Sequence, residues 1–426
     1  MDAEKTRVYL ERSRTAPINV WLKRKLKLGL IHNDPFLQIS PHAISRLKHL
    51  SVETTEPEHF QDIIRHFCRP VPPLLEVLTI DCDDVHSSPV LPAGLFDGVL
   101  SSLRELHLHF VQTELPWKNM NNLTSFSFSL AYTFRARFKI SVDNFLDFFE
   151  RSPHLVEIKL ALGAAKRTHR GERRVELKYL RRLSIHGVHP PRRLLDHLSV
   201  PVGANVSIKF SKHPGPYLED HLSRSLDNLK SFSHFTKIRL CYKFAEGSMR
   251  FTGPNGQVSV AACPPGRHGE RVVCKFLARL DTSQTRCLEL VDSTFPTELG
   301  ELLASLSNLR TLIIPECKDI YKSFLICQHI RFSPNGSLVC PKLEELVLPF
   351  HIPELFDETP VVDIAVERAL AGSPLKLVKF IFSWYPSTKE GFVKLQEVWV
   401  KLQEHVERVE FTVWADYVDA DEGWSP

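Results

Sequence analysis

One apolar phrase recurs along the chain: an apolar residue, two others, an apolar residue, one other, and a further apolar residue. It stands first as Leu47-x-x-Leu50-x-Val52 and returns as Leu75/Leu78/Ile80, Leu103/Leu106/Leu108, Leu123/Phe126/Phe128, Leu155/Ile158/Leu160, Leu180/Leu183/Ile185 and Phe235/Ile238/Leu240. After a weaker Leu288/Leu290 come Leu309/Leu312/Ile314, Leu343/Leu346/Leu348, Leu377/Phe380/Phe382 and Val406/Val409/Phe411. The first six starts are 28, 28, 20, 32 and 25 residues apart, and the last four are 34, 34 and 29 apart. Side chains alternate along an extended segment, so the fourth and sixth members share one face and the residue between them points to the other. Between the phrases lie runs with helical spacing: Phe60, Ile63, Ile64 and Phe67; Phe145, Leu146, Phe148 and Phe149; Val272, Val273, Phe276, Leu277 and Leu280; and Val393, Leu395, Val398 and Leu402. Strand and helix in alternation predict an α/β fold of parallel strands with helices returning on one side. One such unit cannot bury its own apolar face, so the units stack as a solenoid, strands concave and helices convex.

The array is expected to run over 1–415 as one solenoid, with 15–22 as an edge strand and 406–415 as the last. An acidic, disordered tail over 416–426 follows. The least regular interval is 185–285. Val206, Ile208 and Phe210 fit a strand there, and two alternating runs around Pro254-Asn255-Gly256 predict a hairpin insertion over about 244–266.

Composition narrows the chemistry. Hydrophobic residues at 43% and charged residues at 24% supply a core and leave little room for long disorder. A formal net charge of +4 calls for no acidic polymer, so nucleic acid is not an expected partner. Eighteen glycines against 29 prolines disfavour glycine-rich phosphate cradles. The charged start at Met1-Asp-Ala-Glu-Lys and the absence of a long apolar run predict a cytoplasmic or nuclear protein, neither secreted nor membrane-bound. Nine cysteines without regular spacing are expected to be reduced and buried. His107 and His109 flank Leu108 and emerge on one face, but no cysteine or carboxylate at ligand spacing accompanies them, so no metal and no cofactor are expected.

Leu309-Arg-Thr-Leu312-Ile-Ile314-Pro-Glu-Cys317 matches the full leucine-rich-repeat phrase, and most other copies match its first three positions. Pro73-Leu-Leu-Glu-Val-Leu-Thr-Ile80, Leu91-Pro-Ala-Gly-Leu-Phe-Asp-Gly98 and the Leu10-Glu-Arg-Ser-Arg-Thr-Ala-Pro17-Ile-Asn-Val segment together resemble fungal F-box proteins with degenerate leucine-rich repeats, over about residues 8 to 414. That resemblance implies a leucine-rich-repeat horseshoe and a substrate-recognition role in a ubiquitin-ligase adaptor. No Leu-Pro-x-Glu-like F-box opening precedes Thr6, so binding of a Skp1-type adaptor is expected only where an F-box is present. Phe295-Pro-Thr-Glu298 has similar letters but falls where a repeat helix belongs.

The expected function is non-enzymatic protein binding through the non-apolar strand positions: Arg104, Glu105, His107 and His109; Ser125 and Ser127; Glu157 and Lys159; Arg181, Arg182, Ser184 and His186. An alternative is a scaffold that meets an anionic or phosphorylated partner through the basic loop over 166–182, which includes Lys166, Arg167, Arg170, Arg173 and Arg174. More distantly, Arg267-His268-Gly269-Glu270 resembles the histidine-phosphatase motif, in which His268 would be the nucleophile and Arg267 would bind phosphate.

Overall fold

The structure is a computed structural model that describes residues 3–24, 41–54, 72–82, 89–91, 100–113, 120–130, 141–162, 173–187, 192–210, 234–243, 246–254, 256–263, 276–277, 280–291, 298–315, 328–331, 337–350, 359–382 and 389–413. The described residues divide into two compact units, one up to residue 210 and one from residue 234. Both are α/β, with few helices and open, mostly parallel sheets.

In the first unit the main sheet is built from β1 (Ile18–Arg24), β2 (Leu47–Thr54), β3 (Val77–Cys82), β4 (Glu105–His109), β5 (Ser125–Ser129), β6 (Glu157–Leu162), β8 (Arg182–Gly187) and β10 (Asn205–Phe210). They lie side by side in that order, every neighbouring pair parallel. The short β7 (Val175–Glu176) and β9 (Leu198–Ser199) form a separate parallel pair. Helices α1 (Ala3–Arg12), α2 (Pro41–Ile44), α3 (Val142–Arg151) and α4 (Arg192–Leu195) belong to this unit. Register aligns the phrase across strands: Val20, Leu50, Leu78, Leu106, Phe126, Ile158, Leu183 and Val206 form one inward row. From Leu50 onward every member of that row is buried, so the phrase is a core signature, each side chain contributing about 1.5–3 kcal/mol by leaving water.

Helix α3 shows how a helical run closes that core. Ser141 caps it by accepting from the Asn144 amide at 3.2 Å, while the Ser141 amide donates to Asn144 Oδ1 at 3.0 Å. Val142, Phe145, Leu146, Phe148 and Phe149 are buried. Phe148 meets Phe126 with ring centroids 4.5 Å apart, and Phe145 meets Phe128 edge-on at 5.9 Å, in the range of favourable aromatic pairs. At the start of the unit, buried Arg46 donates to the Leu10 and Ala16 carbonyls and to Ser13 Oγ, tying the end of α1 to the sheet.

The second unit opens with an antiparallel meander, β11 (Lys237–Lys243), β12 (Glu246–Gly253) and β13 (Gly256–Cys263), and continues in parallel from β11 through β14 (Cys287–Val291), β15 (Thr311–Ile313), β16 (Glu345–Phe350), β17 (Leu377–Phe382) and β18 (Arg408–Val413). The expected hairpin is therefore part of the sheet itself, with β12 paired along β11. Helices α5 (Glu298–Ser305), α6 (Thr359–Leu370) and α7 (Lys389–Gln403) belong here. Of the F-box-like letters at 295–298 only Glu298 is among the described residues, and it opens α5. The run at Val393, Leu395, Val398 and Leu402 falls in α7. The run at Phe60–Phe67 lies outside the described residues, as do Val272 and Val273 of the third run, while its Phe276 and Leu277 are helical and buried.

Register corrects one frame of the phrase. Val378 pairs with Leu346 and Phe380 with Leu348, so the β17 copy is Leu375/Val378/Phe380, two residues earlier than the sequence pattern suggested. Leu377 and Ile381 stand on the opposite face and are buried as well, which is why the run reads as apolar in either frame.

An arginine anchors this unit from within. Val361, Ile364, Ala365 and Arg368 are the buried stripe of α6. Arg368, fully buried, donates to the carbonyls of Val339, Cys340 and Leu343 at 3.1, 2.9 and 3.3 Å. Burial pushes the Cys340 thiol up to about 12, and its Sγ donates to the Leu303 carbonyl. The helix ends in a Schellman motif: Ser373 N–H bonds the Arg368 carbonyl, Gly372 N–H bonds that of Ala369, and Gly372 sits at φ 72°. Replacing Arg368 with Leu strips donors from three buried carbonyls and is expected to cost about 3 kcal/mol or more. Urea unfolding that shows a loss below about 1 kcal/mol would contradict this role.

Candidate functional site: the open face of the first sheet

The outward side chains of the first sheet also fall into rows. One runs Asn19, His49, Val77, Glu105, Ser125, Glu157, Arg182 and Asn205. The next runs Trp21, Ser51, Thr79, His107, Ser127, Lys159, Ser184 and Ser207. The third runs Lys23, Glu53, Asp81, His109, Ser129, Ala161, His186 and Lys209. The same strands that bury leucine inward thus present an almost wholly polar surface outward. The outward rows of the second sheet differ, for Val291, Val347, Leu377 and Ile381 there are buried.

Most residues expected to bind stand on this surface. Glu105 Oε2 lies 3.4 Å from His107 Nε2. His109 leans over the serines of β5, with Nδ1 3.2 Å from Ser129 Oγ and Nε2 3.5 Å from Ser127 Oγ. Glu157 accepts a two-pronged pair from Arg182, Nε to Oε1 at 3.0 Å and Nη2 to Oε2 at 2.9 Å, and meets Lys159 Nζ at 3.0 Å. Ser125 stands between Glu105 and Glu157 in register, and Ser184 and His186 follow on β8. Arg104 and Arg181 are the exceptions. Each precedes its strand by one residue, and its carbonyl accepts from the next strand's entry.

The sequence reading missed Trp21, His49, Glu53, Asp81, Ser129 and Lys209, which occupy the same outward rows. The third and fifth positions of the phrase identify His49 and Ser51 directly. Trp21 becomes visible only once β1 is paired with β2. It is 61% exposed, and its ring centroid lies 5.1 Å from that of His49.

Of the basic loop, Lys166, Arg167 and Arg170 lie outside the described residues. Arg173 is held by Glu150 at 2.9 and 2.5 Å and by Asp147 at 2.6 Å, which raises its already high pKa and commits its charge to α3. Arg174 is exposed. Arg267 and His268 also lie outside the described residues.

Hydrogen bonds from Arg182, reinforced by Lys159, hold the Glu157 carboxyl down at about 2. Burial lowers the His109 pKa, His107 and Lys159 reinforce the shift, and Asp81 opposes it. His49 and His186 are lowered as well, again chiefly by burial. His49, His109 and His186 are therefore neutral imidazoles at neutral pH. Among the described residues no three or more His, Cys, Asp or Glu side chains gather as a set able to hold a metal ion, and no helix is long and apolar enough to cross a membrane. The second unit has an open cleft of about 630 Å³ whose lining mixes Arg310, Lys342 and Lys376 with Glu344, Glu404 and Glu407. No family model matches the chain, and no curated protein matches it.

Two outcomes follow from these shifts. Removing Arg182 by substitution to Ala is expected to raise the Glu157 titration from about 2 toward the ordinary carboxylate range, read by carboxyl NMR. An unchanged titration contradicts the pairing. For His109, the unfolded chain binds a proton more readily than the folded one. The stability this group supports is whole above about pH 6.5 and is lost as pH falls through the depressed folded value. The unfolding midpoint of His109→Gln should vary less with pH between about 7.5 and 5.5 than that of the parent, and equal slopes would contradict the assignment.

Proposed function

We propose that the chain is a leucine-rich-repeat-like solenoid that works as a non-enzymatic protein-binding module, with the open face of the first sheet as its concave recognition surface. The observation that carries this reading is the contrast between the faces. The same register that buries an unbroken apolar row inward sets three polar rows outward, and Trp21, Glu105, Lys159 and Arg182 stand exposed among them. A broad sheet surface of this kind suits an extended partner better than a small substrate, which needs an enclosing pocket. The resemblance to F-box proteins with degenerate repeats adds a role: recognition of substrates for a ubiquitin ligase, in the cytoplasm or nucleus.

Proximity labelling in cells tests the reading. A variant carrying Glu105→Ala, His107→Ala, Lys159→Ala and Arg182→Ala, with its circular dichroism unchanged, should lose a defined subset of the proteins labelled by the parent chain. An identical labelled set would remove this face as the recognition surface. Co-purification of the ligase's adaptor subunit with the parent chain tests the ubiquitin link separately.

A further inference from the structure

The outward rows are not uniform in charge. On β1 to β4 they carry one cation, Lys23, against three carboxylates, Glu53, Asp81 and Glu105. On β5 to β10 they carry three cations, Lys159, Arg182 and Lys209, against one carboxylate, Glu157. Counting these Lys, Arg, Asp and Glu side chains, the two halves differ in sign, at −2 and +2 formally. The groups that express this difference reach solvent: the Glu105 side chain is 48% exposed, Lys159 58% and Arg182 61%.

Between the halves lies β5, whose outward residues are Ser125, Ser127 and Ser129. Ser127 and Ser129 are buried beneath their larger neighbours, so the floor is low there and lined with hydroxyls. At the acidic end Trp21 offers an exposed indole beside His49. An exposed indole suits an arginine or lysine side chain by cation–π attraction, and the carboxylates of Asp81 and Glu105, two and three strands further along, suit the same side chains by ion pairing. At the other end, clustered Lys159, Arg182 and Lys209 suit carboxylates.

Resting on the binding role proposed above, the geometry points to a partner of defined chemistry: an extended protein segment that crosses the strands and carries basic residues over β2 to β4 and acidic residues over β6 to β10. From β4 to β8 is three strand steps of about 4.8 Å, so the opposite charges of the segment stand about 14 Å apart, some four extended residues. Charge of both signs fixes the direction of the segment as well as its identity, since a reversed segment meets like charges at both ends.

Panning random 12-residue displayed peptides against the full chain tests this. Enriched peptides should carry a Lys/Arg group and an Asp/Glu group separated by about four residues. Against Lys159→Glu with Arg182→Glu the acidic group should disappear from the selected peptides. Against Glu105→Lys the basic group should disappear. A peptide selected on the parent should bind each variant about tenfold or more weakly, and more weakly as salt rises. Peptides of one sign, peptides without charge pattern, or identical selections on parent and variants would overturn the inference, as would tighter binding of a single-stranded RNA 12-mer. Loss of labelled proteins in the four-alanine variant together with patternless peptides sinks only this inference. Unchanged labelling sinks the binding reading beneath it.

Discussion

At eight strand entries in the two sheets, one backbone carbonyl accepts two N–H groups from the strand that follows. The carbonyls of Glu76, Arg104, Thr124 and Val156 do this in the first unit, and those of Thr236, Arg286, Arg310 and Glu344 in the second, at N···O distances of 2.7 to 3.1 Å. These bonds fix where each strand begins, and hence its register. A slip of one residue would turn every leucine outward and every polar residue inward, so the inward apolar row and the outward polar rows are two consequences of the same constraint. Side chains reinforce the entries: Asn122 Nδ2 donates to the Ser101 carbonyl, Ser102 Oγ to that of Pro73, and Asn308 Nδ2 to that of Ser283.

That constraint also explains how the outward face can carry varied polar chemistry without instability. An outward position is fixed by backbone bonds and by its inward neighbours, so its own side chain is free to be chosen for contact. The first sheet uses this freedom for charge, imidazole and indole. Its ion pairs are partly exposed, and pairs of that kind contribute at most about 1 kcal/mol to folding. Glu157 with Lys159 and Arg182 is better understood as a charge arrangement held ready than as a support for the sheet.

The strands were legible because leucine at fixed offsets reports burial directly, and α3 was legible because Phe145, Leu146, Phe148 and Phe149 follow a helical period. The outward surface was legible for β4, β5, β6 and β8 from the same offsets. What escaped had physical causes. In β17 the run Leu377-Val378-Lys379-Phe380-Ile381-Phe382 is buried on both faces, so alternation could not choose a frame. At β12 the turn into β13 and the alternation were visible, but β12 also pairs along β11 across only two residues, Phe244-Ala245, which carry none of the Gly, Asn or Asp that signal a tight hairpin. Arg368 left a signal that could have been read: an arginine seven residues after Val361 on the apolar stripe of a helix, a place a buried cation holds by bonding its two terminal guanidinium nitrogens to carbonyls. The sign change across the outward rows becomes visible only once register has aligned Glu105 with Glu157 and Arg182.

The most direct test of the open face as the docking surface uses its own oxidisable residues. Trp21 stands on that face, while Tyr9, Tyr179 and Trp399 are exposed elsewhere in the chain. Hydroxyl-radical footprinting of the protein, alone and in complexes recovered from cells, reports which of them a partner covers. Trp21 and His107 should be protected in the complex, with Tyr9, Tyr179 and Trp399 oxidised as in the free chain. Protection at Tyr179 or Trp399 with Trp21 left open would contradict it.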